Sequence, residues 1–360
     1  GINQPIGTED PEYYAELFCK TRRLADWRLP DDERSCPDIP GIQGVNGLLS
    51  RRLQSLLDGV ADISLCRRGN VSATMACLKN VKGTPETRLY IVFNHEDDES
   101  ARRCPQHLQT IFEMLRQVPY KEHKIGFQLR RWALKIMSFL ITANRLFILT
   151  QSQRLRKHLQ GKFSVHVLTS QTTAPYSCDL SSETMQVALN DAMAETGHRP
   201  ADWDKKRESF INWLSKELKV SEVVRQKPKV HAELAMIIAM AKGEIEDVLP
   251  YVGVSKLSCI LCSHYIRAFN EVMMQKIATK GSHGKAYPGW SWPSLPDHNE
   301  ELRQAFLRRI RQQLLSDVEW HAENLRRLSD SSVGSDGPEW QFDRTMDDIK
   351  KLGDMLDMEE

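Results

Sequence analysis

Val230-His231-Ala232-Glu233 and, 28 positions beyond the histidine (259 − 231), Cys259-Ile260-Leu261-Cys262 decide how the rest of this chain is read. Together they offer one imidazole, two thiols and one spare carboxylate. Three protein ligands of this kind leave the fourth corner of a tetrahedral Zn²⁺ free for water. Bound there, water has a pKa near neutrality, so a nucleophile is available at ordinary pH. Glu233 follows His231 too closely to share the ion comfortably and is placed instead to move that water's protons. The alternative is a closed zinc site with a fourth protein ligand, His264 or His283, which leaves Glu233 without a task.

The surroundings support a built site. Leu234, Ile237, Ile238 and Ala241 recur at helical spacing, so His231 and Glu233 fall in the first turn of a helix. Tyr251 to Ser255 reads as a short buried strand, and Cys259 opens a second helix with Ile260, Ile266 and Phe269 on its apolar side. The partially positive starts of two helices favour thiolate and hydroxide. H-x-E alone is a weak signal: His321-Ala322-Glu323 repeats it with no cysteine after it and reads as exposed helix. The cysteine pair is rarer, because only Cys259 and Cys262 of the eight cysteines stand as C-x-x-C.

In this combination the chain resembles the cytidine-deaminase-like superfamily, and within it the fungal-rich OTT-type nucleic acid/nucleotide deaminase domain. Val230 to Glu233, Tyr251 to Cys262 and Gly281-Ser282-His283-Gly284-Lys285-Ala286-Tyr287-Pro288-Gly289-Trp290 carry the resemblance, over about residues 226–295. It implies an α/β fold of three layers, α-β-α, around a mixed sheet. It also implies Zn²⁺ held by His231, Cys259 and Cys262, with Glu233 passing protons while an amino-substituted base loses ammonia. Many deaminases have proline where this chain has Ser258, but the family uses that residue's backbone carbonyl, which serine also has. By the same analogy the Ser258 carbonyl accepts a hydrogen bond from the leaving amine. Asn94 is assigned to the sugar or base edge, against the reading of a turn asparagine.

At 360 residues, with 41% hydrophobic and 27% charged, the chain can bury a real core and has room for two domains or one elaborated domain. A formal net charge of +1 excludes both a polycation and an acidic solvating chain. Scattered cysteines beside a thiolate metal motif favour a reducing intracellular compartment, cytoplasmic or nuclear, over a disulfide framework. The chain opens Gly1-Ile2-Asn3 without methionine, so a removed targeting segment stays open. Trp132 to Leu149 is interrupted by Lys135, Asn144 and Arg145, too soon for the ~20 apolar residues of a bilayer span. It is expected to be a buried helix, with no membrane partner.

Residues 1–60 read as a helical N-terminal region, broken by a loop at Pro30, Pro37 and Pro40. Residues 61–98 hold the first strand pair, Val71 to Lys79 and Thr87 to Asn94, joined at Gly83-Thr84-Pro85. Residues 99–225 read as a largely helical insertion, with Val165 to Leu168 as an alternative core strand. The zinc core follows at 226–328, with a fourth strand from Met274 to Thr279 and a helix at roughly 299–328. Residues 329–360 are a flexible linker and an acidic amphipathic tail; its 346–358 stretch would dock on the body or bind a protein partner.

Between Lys121 and Lys162 ten basic residues face one acid, Glu122. Arg130, Arg131, Arg154, Arg156 and Lys157 are the candidate contacts to a nucleic-acid backbone, against the reading of a solvated helical face. Arg303, Arg308, Arg309 and Arg311 form a second cluster, read as solvated surface. His283, Trp290 and Trp292 are candidate substrate contacts, the tryptophans as a stacking wall or as packing anchors. Three functions follow: a deaminase acting on single-stranded DNA or RNA, a deaminase of free nucleosides or nucleotides, and a catalytically silent zinc-stabilised binding module. Intact Glu233 argues against the third.

Overall fold

The structure, a computed structural model, describes residues 4–24, 48–64, 71–81, 84–94, 104–111, 113, 146, 149, 162–169, 173–197, 202–217, 222–293, 295 and 297–328. The chain begins with β1 (Gln4–Ile6), α1 (Pro11–Leu24) and α2 (Leu48–Ile63), followed by β2 (Ser72–Val81) and β3 (Thr84–Phe93). β4 (Lys162–Leu168), β5 (Tyr176–Asp179), α3 (Ser182–Thr196), α4 (Trp203–Glu217) and β6 (Glu222–Arg225) come next. The last elements are α5 (Ala232–Ala241), β7 (Tyr251–Val254), α6 (Ile260–Val272), β8 (Ala278–Thr279) and α7 (Asn299–Leu328).

The main sheet has the order β4-β3-β2-β7-β8, with β2 antiparallel to both neighbours and the outer pairs parallel. Alternation along the central hairpin dictates its two buried faces. Ala73, Met75, Cys77, Tyr90 and Val92 join one hydrophobic cluster, while Ala76, Leu89, Ile91 and Phe93 join another. α2 packs on the second face through Leu53, Leu56, Leu57 and Val60, and α5 and α6 contribute to the first. The result is the expected three-layer α/β arrangement with a mixed sheet.

Where α2 crosses β7 the backbones nearly touch. A Cβ added at Gly253 would stand 2.5 Å from the Leu57 carbonyl carbon. Thr74 Oγ1 donates to the Leu57 carbonyl at 2.9 Å, and the buried Asp58 carboxylate accepts from Val254 N–H at 3.0 Å. This crossing fixes β7, and with it the turn that delivers Cys259.

The strand pair lies where periodicity places it, although Thr84 and Pro85 are already in β3, opposite Val81 and Asn80. Residues 99–225 hold strands as well as helices. β4 runs parallel to β3 in the main sheet, the alternative foreseen for Val165 to Leu168, while β5 lies between β1 (parallel) and β6 (antiparallel) in a second, three-stranded sheet. α7 matches the expected helix, while of the expected fourth strand, Met274 to Thr279, Ala278–Thr279 alone pairs as β8. Leu146 and Leu149 are helical and buried; the rest of Trp132 to Leu149, the prolines of the first loop and the acidic tail lie outside the described residues. No described helix is long and apolar enough to cross a membrane. The six described cysteines are all free and buried.

His321 corrects one expectation. Its segment is helical, but its ring is fully buried against Trp213 (4.4 Å between centroids) and Phe210 (5.4 Å). Periodicity alone did not show that α4 covers this face of α7.

Candidate active site

His231 is the N-cap of α5, with extended backbone (φ −67°, ψ 151°), and its carbonyl accepts from Leu234 and Ala235 N–H at 3.0 and 2.9 Å. Asn94, just beyond β3, caps the same helix from outside: its Oδ1 accepts from Ala232 N–H at 2.5 Å. Cys259 is the N-cap of α6, its sulfur accepting from Cys262 N–H at 3.4 Å. Both motifs therefore sit at helix starts, where free N–H groups favour negative charge.

Nδ1 of His231 lies 3.6 Å from Cys259 Sγ and 3.3 Å from Cys262 Sγ, and the two sulfurs are 3.3 Å apart. The edges of a tetrahedral zinc site with these donors are roughly 3.5–3.8 Å, as Zn–S of about 2.3 Å and Zn–N of about 2.0 Å require. The donor set thus fits a metal ion with little movement. His231, Cys259 and Cys262 are the group of potential ligand atoms found among the described residues, all within 4.8 Å of one another.

Electrostatics point the same way. Burial alone would raise the Cys259 thiol, but the hydrogen bond with Cys262 and the charge of the His231 imidazole outweigh it and bring it well below the usual thiol range. Burial opposes charge on His231 too, and is outweighed by Cys259 and Glu233, so the imidazole is raised. Burial raises the Glu233 carboxyl, with His231 pulling against it. Glu233 is 4% exposed, and its Oε2 has no hydrogen-bond partner. A buried carboxylate oxygen without a partner is costly unless a ligand meets it.

The two alternative fourth ligands stand apart from this group. His264 is buried next to Arg267, Arg22 and Arg309; burial and these charges push it down to about 3. His283 comes closer, but its Nδ1 accepts from Lys285 N–H at 3.0 Å, and burial lowers its pKa. The Ser258 carbonyl accepts from both Ser282 Oγ (2.9 Å) and His283 N–H (3.2 Å). Both of its lone pairs are thus engaged within the protein.

Trp290 is fully buried and stacked on Phe306 at 5.7 Å and 10°. Trp292 packs edge-on against Tyr265, and its indole N–H donates to Asn299 Oδ1 at 2.9 Å. Both act as packing anchors in this structure. Arg130, Arg131, Arg154, Arg156 and Lys157 lie outside the described residues.

Sequence reading missed how α1 holds the loop that follows α6. Arg22 donates to the Gly284 carbonyl at 2.8 Å while pairing with the buried Asp317 at 2.6 Å. Gly284 has φ +74°, which a side chain would resist. Glu16 accepts from Gly289 N–H at 3.3 Å, and Glu12 from Trp292 N–H at 2.8 Å. Glu16 is completely buried, held at 2.7 Å by both nitrogens of the Arg225 fork and at 2.9 Å by Tyr176. The loop is also tied to the cysteine turn, since Ile260 N–H donates to the Lys285 carbonyl at 3.0 Å.

Residues 230–294 match a family model described as OTT_1508-like deaminase. The match spans His231, Glu233, both cysteines and the 281–292 loop, and it leaves out α1 with Glu12, Glu16 and Arg22. No curated protein and no solved structure matches the chain. The segment similar to that deaminase model contains the three donors that could hold a metal ion.

Proposed function

We propose that this chain is a zinc-dependent hydrolytic deaminase of an amino-substituted nucleobase, acting on single-stranded nucleic acid. The observation that carries the reading is one buried carboxylate oxygen without a hydrogen-bond partner, Oε2 of Glu233, two residues from the His231 of a His–Cys–Cys group with near-tetrahedral spacing. Zn²⁺ held by His231, Cys259 and Cys262 would supply a Lewis acid that brings the pKa of water toward neutrality. Glu233 Oε2 accepts a proton from the attacking water and delivers it to the ring nitrogen beside the amine; it then takes the remaining proton of the added hydroxyl and delivers it to the amine, which leaves as ammonia. Water enters, ammonia leaves, and the base exchanges an amine for a carbonyl. A carboxyl that cycles twice per turnover works best with a pKa near the operating pH, which burial of Glu233 favours. Asn94 keeps the start of α5 in register with β3, so Glu233 and His231 hold their relative placement.

The basic stretch from Lys121 to Lys162 supports a polymeric substrate over a free nucleoside. The test is mass spectrometry of cytosine- and adenine-containing single-stranded DNA, RNA and nucleosides after incubation with zinc-loaded protein, alongside metal analysis. About one zinc per chain and amine-to-carbonyl exchange in a single strand are expected. Carefully handled protein that holds no zinc, or loaded protein that releases no ammonia from any of these, would overturn the reading.

A further inference from the structure

We propose that Tyr287, braced edge-on by His283, is the surface on which the substrate base stacks at the mouth of the site. The inference deepens the deaminase reading and rests on it for the ligand being a nucleobase. Tyr287 is 45% exposed, one of four large apolar side chains exposed among the described residues. Its loop is hydrogen-bonded directly to the metal-ligand turn, through His283 N–H to the Ser258 carbonyl and Ile260 N–H to the Lys285 carbonyl. The segment that carries Tyr287 is therefore tied to the turn that carries Cys259 and Cys262, near enough for Cys259 and Glu233 to act on its phenol.

The rings of His283 and Tyr287 meet edge-to-face at 5.4 Å and 86°, a contact that braces the tyrosine while leaving it 45% exposed. Lys285 N–H fixes His283 Nδ1 as an acceptor and puts the neutral ring's proton on Nε2, a donor for a base edge. Burial and the negative charges of Cys259 and Glu233 raise the Tyr287 phenol, so the ring stays neutral beside them. Arg22 on Gly284 and Glu16 on Gly289 hold the loop on either side of the tyrosine. A half-exposed aromatic ring on a backbone fixed at both ends is a pre-organised stacking platform.

The experiment compares zinc-loaded wild type, Tyr287→Phe and Tyr287→Ala. Equilibrium binding and KM are measured on cytidine, adenosine and short single strands carrying one cytosine or adenine. Matched strands with an abasic site in place of that base serve as controls. Tyr287→Ala should weaken binding and raise KM about tenfold or more, Tyr287→Phe should stay within about twofold, and the abasic strands should not distinguish the three proteins. Metal content and thermal unfolding check the fold; if Tyr287→Ala is damaged, Tyr287→Leu, which keeps bulk without a π-face, replaces it. Turnover by wild type with an unchanged KM in Tyr287→Ala overturns the inference and leaves the deaminase reading standing. Tyr287-dependent binding without ammonia release does the reverse. No binding and no turnover by wild type overturns both.

Discussion

Glu233 and its neighbours divide the site's work by environment. The two cysteines and His231 satisfy one another at 3.3–3.6 Å, whereas Glu233 Oε2 has no partner in the same buried space. Substitution should separate these roles. Glu233→Gln keeps shape and removes no metal ligand, so zinc content and unfolding temperature should stay close to wild type. Turnover should fall by about 10²–10⁴-fold, the usual contribution of a positioned acid–base group. Metal analysis with single-turnover kinetics checks this, and activity within a few-fold of wild type would remove Glu233 from the proton path. The ligands were legible in the sequence because a metal imposes short-range spacing: C-x-x-C puts two sulfurs on one helix start, and H-x-E separates ligand from shuttle. Tyr287 was less legible. It stood in a quoted stretch, but one tyrosine in a glycine-rich segment gives no sign of its exposure.

α1 shows what local pattern cannot carry. Glu12, Glu16 and Arg22 look like ordinary helix charges, yet their partners Trp292, Gly289 and Gly284 lie more than 260 positions away. A backbone N–H or carbonyl as partner leaves no complementary residue type to find. The elements themselves were legible, since β2, β3, α5, β7 and α6 each follow from alternation or helical spacing over a few residues. The partnership of β4 with β3 and the cover over His321 depend on elements remote in sequence.

Two outcomes follow from this geometry. Glu16→Gln should break the bidentate pair with Arg225, whose side chain keeps 29% exposure. The cost should fall near or below the low end of the roughly 3–5 kcal/mol for breaking a buried pair. Chemical denaturation reads that cost. A higher KM at nearly constant zinc content would show the loop, rather than the metal centre, responding. Gly253→Ala should destabilise by about 1–3 kcal/mol or more, because the new methyl meets the Leu57 backbone, which cannot rotate away. Wild-type unfolding in that variant would mean that α2 slides freely on β7.

Charge across the whole molecule sets where a polyanion would bind. The formal total is only +1, so attraction depends on local excess. The α7 cluster is spent internally: Arg303 pairs with Asp10, Arg308 and Arg309 with Glu271, and Arg311 with Glu195. The stretch between Lys121 and Lys162, with ten bases against one acid, keeps the larger imbalance. If single-stranded nucleic acid is the substrate, reversing charge at Arg130, Arg131, Arg154 and Arg156 should weaken strand binding. It should also flatten the fall of affinity with salt, since each lost phosphate contact removes about 0.7 from the log–log slope for single strands. Salt titrations of wild type and the quadruple variant measure both. The same changes should leave KM for a free nucleoside untouched, because a neutral ligand releases no condensed counterions. Strand binding indifferent to salt and to these four arginines would transfer the proposed chemistry to free nucleosides. The zinc centre and Glu233 would keep their roles, and the stacking face at Tyr287 would then have to supply most of the substrate affinity.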